Sequence, residues 1–123
     1  MLINLTPHKV SILYDGEFIY DQRTRSYHAA GAAYSVRDIP ASGTVARCAT
    51  AEREVPAVDG VPTVVMAFGQ VENLPAPVAD TYYIVSAIVL QACPERHDLL
   101  TPAHMVRSND GTIVGCLAFS RNV

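Results

Sequence analysis

Short β-prone runs, each cut off by glycine, proline, asparagine or aspartate, fill this chain from end to end. Val, Ile, Thr and Tyr suit a pleated, half-buried strand, and the punctuating residues suit turns. That pattern leaves room for one or two short helices at most. It predicts a mainly β domain (β-rich α+β), folded as a small sandwich or partly open barrel of about seven or eight strands. With 123 residues the chain has the length of one domain, 1–123, large enough for an ordinary core.

The expected strands follow from the runs. Leu2 to Leu5 opens the chain and stops at Thr6-Pro7. Lys9 to Tyr14 and Glu17 to Tyr20 flank Asp15-Gly16, the dipeptide of a two-residue type I′ hairpin. Asp21 to Gly31 reads as a long polar loop carrying Arg23, Arg25, Tyr27 and His28. Ala33 to Ile39, Thr44 to Glu52 and Val61 to Gly69 read as further strands. Asn73 to Pro77 is a proline-stiffened connector. Thr81 to Val85 is the most β-prone stretch of all. After it, Ser86 suits the N-cap of a short helix over 86–93, while a buried strand is the competing reading. Met105 to Arg107 and Thr112 to Phe119 flank Asn109-Asp110-Gly111 and predict a C-terminal hairpin.

Composition narrows the function classes. Half the residues are apolar and 17% are charged, which excludes intrinsic disorder. Nine Lys and Arg against twelve Asp and Glu give a net charge of −3. Binding to nucleic acid or an anionic membrane through overall charge is therefore not expected. Cys48, Cys93 and Cys116 lie far apart without a CxxC pair, so they read as buried, reduced thiols and not as metal ligands. No metal and no cofactor is expected. The apolar stretch from Tyr82 to Cys93 is too short to span a bilayer. The opening MLINLTPHKV has no leader-like apolar segment, and the expected location is cytoplasmic. Low charge combined with strand edges that need covering predicts a homo-oligomer.

No standard catalytic or phosphate-cradling motif is present, and His8, His28, His97 and His104 lack metal-ligand spacing. Three clusters carry polar chemistry instead. Asn4, Thr6 and His8 surround the first bend, where short polar side chains either meet a ligand or satisfy the neighbouring backbone. Arg96 and Asp98 can pair locally, or Arg96 can present its guanidinium to a phosphate. Arg47, within a small apolar strand, and Arg107, on a later strand, must reach water, a carboxylate or an anionic ligand. A trio of His8, Ser86 and Asp98 can be written down as a hydrolytic site, but almost any chain of this size supplies such a trio on paper.

The segments NLTPH, IPASGTVAR, VENLPAP with TYYIVSAIV, ERHDLLTP and VRSNDGTIVGC resemble, as a set from Asn4 to Cys116, a family of small uncharacterised phage and bacterial proteins. That resemblance implies a phage anti-defence protein, acting in the bacterial host's cytoplasm as a sponge for nucleotide-derived immune signals. It implies a small phosphorylated nucleotide ligand held without cleavage. The positions of its motifs that carry over are Asn4, Thr6, His8, Arg47, Ser86, Arg96, Asp98 and Arg107. Tyr83 or Tyr27 is the candidate for stacking on a base. The alternatives are a structural or protein-interaction accessory protein of phage origin, and a nucleotide-cleaving enzyme using His8 or His97.

Overall fold

The computed structural model describes residues 1–123. Ten strands and one short helix follow in the order β1 (Leu2–Asn4), β2 (Val10–Tyr14), β3 (Phe18–Asp21), β4 (Ser26–Ala29), β5 (Ser35–Ile39), β6 (Arg47–Val58), β7 (Val61–Glu72), β8 (Tyr82–Ile84), α1 (Ala87–Ala92), β9 (Leu99–Arg107) and β10 (Ile113–Arg121). The fold is mainly β, as expected, with two or three strands more than the sequence pattern suggested.

The main sheet runs β1-β8-β9-β10-β2-β5 and curls into a nearly closed barrel. Its two ends meet where Asn4 bridges Ala41, just past β5. Inside lie Val10, Ile39, Ile84 and Cys116. A second cluster, containing Leu5, Tyr83, Val85, Val89, Leu90 and Leu99, joins the barrel to α1. Ser86 caps the helix, its hydroxyl accepting from Val89 N–H at 3.3 Å, and this decides residues 86–93 in favour of helix. At the other end of the helix, the Asn122 side chain donates to the carbonyls of Leu90 and Cys93 at 3.1 and 2.8 Å.

The expected hairpin at Asp15-Gly16 does not form. β2 pairs with β5 on one side and β10 on the other, while β3 pairs with β4. A type I′ turn needs positive φ at both central residues, and here only Asp15 has it, at 55°. Gly16 serves a close approach instead, since a Cβ there would sit 2.7 Å from Cβ of Tyr34. The segment read as a polar loop, 21–31, is largely the β3–β4 hairpin, which joins β9 through Tyr27 and Val106.

The true Asp-Gly turn lies at Asp59-Gly60, with φ of 50° and 74°. It links β6 to β7 in a separate two-stranded sheet. β6 therefore continues well past Glu52. Pro56 is accommodated where the register shifts between Val55 and Val58, and a second shift lies between Cys48 and Thr50. With twelve residues per strand, this ribbon is about 40 Å long. None of its residues is buried. It is an arm that leaves the barrel beside α1, which touches both of its strands.

Near the C-terminus, the expected β9–β10 hairpin forms around Asn109-Asp110-Gly111. Hydrogen bonds from the Ser108 hydroxyl and from Thr112 N–H hold the Asp110 carboxyl down at about 2.

Candidate functional site

The largest surface cleft, about 460 Å³, opens at the root of the arm. Three segments distant in sequence build it. The turn after β1 supplies Leu5, Thr6 and Pro7, the arm root supplies Val45 to Ala49 and Glu72, and the start of α1 supplies Ser86 and Ile88. Of the residues singled out from sequence, Thr6, Arg47 and Ser86 meet here.

Arg47 is the first residue of β6 and is exposed. Its register partner across the ribbon is Glu72. The arginines whose guanidinium groups hydrogen-bond within the chain are Arg96 and Arg107. Arg47 thus lines the cleft with its guanidinium donors free, and no ion pair ties it to Glu72. The Ser86 hydroxyl oxygen caps the helix, which leaves its proton available to a ligand. Thr6 is more constrained, because its hydroxyl donates to Asn4 Oδ1 at 2.6 Å and also lies 3.0 Å from the His8 carbonyl. The floor is apolar, formed by Leu5, Val45, Ala46 and Ile88. An apolar floor with one free cation, one carboxylate and a hydroxyl suits a small amphipathic molecule bearing an anionic group.

The other expected site residues fall elsewhere. Asn4 is buried and fully used. Its amide donates to the His8 and Ile39 carbonyls at 2.8 and 3.1 Å, and its Oδ1 accepts from Thr6 N–H at 2.9 Å. It clasps β1 to the end of β5, so its role is to close the barrel. The His8 side chain is exposed on the turn and does not line the cleft. Tyr83 is corrected outright as a stacking residue: at 3% exposure its ring belongs to the core. Tyr27 is half-buried, packed edge-on against Tyr20 and His104.

Arg96 is not free for a phosphate. Its Nε and Nη2 bind the two oxygens of Asp98, both at 2.8 Å, and Nη2 also reaches the Pro75 carbonyl at 2.9 Å. The pair pins the proline connector to the segment before β9. Paired in this way, the Asp98 carboxyl is held below its ordinary range, chiefly by the Arg96 hydrogen bonds. Arg107 donates to the Gly111 carbonyl at 2.7 Å and supports the β9–β10 turn. It also lines a separate, polar depression of about 290 Å³ with Arg23, Tyr27 and His28.

His8, Ser86 and Asp98 do not converge on one cleft. No group of three or more His, Cys, Asp or Glu comes together in the geometry of a metal site. Cys93 and Cys116 are buried, and burial pushes both thiols up, whereas Cys48 is half-exposed at the arm root. Glu72 and the apolar residues of the cleft escaped the sequence reading. The signal for Glu72 was the Asp59-Gly60 turn, which places it opposite Arg47 once the register is counted back. No helix is long and apolar enough to cross a membrane. No family model, curated protein or solved structure matches the chain.

Proposed function

We propose that this protein binds a small phosphorylated, nucleotide-derived molecule in the cleft at the root of the arm and sequesters it without chemical conversion. The observation that carries this reading is Arg47, a guanidinium with no partner in its own chain, at the rim of an apolar-floored cleft. Arginine offers a planar pair of donors that matches two phosphate oxygens. In this reading Glu72 accepts from sugar hydroxyls, and Pro7 and Ile88 offer an apolar surface to a base. A cleft of about 460 Å³ is in the range that holds such ligands. Together with the family resemblance, this supports the role of a phage anti-defence sponge for a nucleotide immune signal, acting in the bacterial cytoplasm.

A thermal-shift panel of cyclic ADP-ribose, ADP-ribose, cyclic dinucleotides, linear nucleotides and inorganic phosphate tests the reading. One nucleotide should raise the melting temperature, and heat-denatured complex should release it intact. Recovery of a cleaved product would establish the enzyme instead. No response to any member of the panel would favour the second reading, a protein-interaction accessory, for which the uncovered arm is the supporting observation.

A further inference from the structure

The β6–β7 arm is too exposed to stand by itself. A lone two-stranded ribbon is marginal in water, and three or more strands are needed for independent stability. Yet this ribbon keeps Val58, Val61, Val64, Val65, Met66 and Phe68 between 43% and 63% exposed. Neither of its outer edges pairs with another strand.

The two edges differ sharply. Along β6 the edge carries Glu52, Arg53, Glu54 and Pro56. Charges and proline are the usual devices that keep a strand edge from pairing. Along β7, by contrast, the stretch from Val61 to Val71 contains no charged residue, and its one proline, Pro62, sits at the hairpin end, four residues from Met66. One edge is guarded by charge along its middle, the other is not.

We infer that the open β7 edge pairs antiparallel with β7 of a second copy of this chain, making a four-stranded sheet β6-β7-β7-β6 across a two-fold axis. The sequence of β7 complements itself about Met66. With Met66 opposite its own counterpart, Phe68 of each copy faces Val64 of the other, an aromatic-to-β-branched pair of the kind that stabilises sheets. On the opposite face Val65 meets Ala67, large against small. No like charges are brought into opposition anywhere in this register. Pairing β6 with itself about its charged middle would instead bring like charges together: a two-fold at Glu52, Arg53 or Glu54 sets each of these residues against its own copy, and the one at Arg53 also sets Glu52 against Glu54. The charge pattern therefore selects the edge, and the self-complementary register about Met66 selects a second copy as its occupant. The guarded β6 edges then face outward and stop the sheet at four strands, which makes the assembly a closed dimer. This inference does not depend on what the cleft binds.

Sedimentation of ligand-free protein at micromolar concentration tests it. The wild type should sediment at twice the 13.3 kDa chain mass. Met66→Lys, which sets two ammonium groups face to face, should halve that mass while leaving the barrel's melting transition in place. Met66→Cys should form a covalent dimer under mild oxidation, above the background from Cys48, and Glu52→Cys should not. The cross-link decides the matter even if Met66→Lys fails to fold. A wild type at 13.3 kDa, a dimer indifferent to Met66→Lys, or Met66→Cys without a cross-link would each overturn the inference. Assembly beyond a dimer through the arm would overturn it too, because guarded outer edges forbid it.

Discussion

Asn4 shows how much a single buried amide can hold. It is 1% exposed and satisfies two carbonyls while accepting two hydrogen bonds from Thr6, all at the seam where the barrel closes. Asn4→Ala orphans those carbonyls, and the expected loss is about 2–3 kcal/mol, measured by chemical denaturation. Asp98 makes a pH-dependent contribution. Its folded pKa lies below the ordinary 3.8, first because Arg96 hydrogen-bonds its carboxylate. The resulting stabilisation is therefore fully present above 3.8 and fades as pH falls through the lowered folded value. Asp98→Asn should cost about 1.5–3 kcal/mol at neutral pH, with the gap to wild type closing on acidification. A gap that stays constant with pH would show that the carboxylate's charge is not what matters. At this scale the sequence identified polar residues that matter but not which way they face. Asn4, Thr6, Arg96 and Asp98 were all visible as candidates. Both roles open to them, binding a ligand and satisfying their own chain, use the same residue types, and only the partners in space separate the two. Tyr83 was misassigned for the same reason: strand alternation does not say which side of a closed sheet is inside.

The contrast between two Asp-Gly dipeptides belongs to the scale of elements. Asp59-Gly60 adopts positive φ at both residues and turns a hairpin, whereas Asp15-Gly16 does so only at Asp15. The dipeptide permits the turn, but long-range pairing of β2 with β5 and β10 decided against it at the first site. Gly60→Ala forces a side chain onto φ of 74° and should cost about 1 kcal/mol. Because the arm lies outside the core, the loss should appear as faster amide exchange at the arm tip, with barrel amides unchanged. The helix was legible through its cap. Ser86→Ala removes the acceptor for Val89 N–H and should destabilise the fold by about 1 kcal/mol in denaturant titration. At the opposite end of the helix, Asn122 gave no sequence signal, since its partners Leu90 and Cys93 lie about thirty residues away in a segment it does not resemble.

Across the whole molecule, a nearly closed barrel carries both proposed sites, a cleft on its rim and an arm beside that cleft. The mainly β class followed from the distribution of turn residues. The strand order did not, because β1 with β8, β10 with β2 and β4 with β9 are parallel pairs that no local turn encodes. The cleft inherits that limit: Thr6, Arg47 and Ser86 meet only because the barrel brings the turn after β1 and the start of α1 to the arm root. The measurement that bears most directly on this account is calorimetric titration of wild type and Arg47→Lys with the nucleotide giving the largest thermal shift. The wild type should bind it saturably. Arg47→Lys should keep its melting temperature yet bind about ten- to a hundred-fold more weakly, since a point-charge ammonium cannot reproduce a guanidinium's paired donors. Equal affinity in the two proteins would contradict the assignment of the cleft as the binding site.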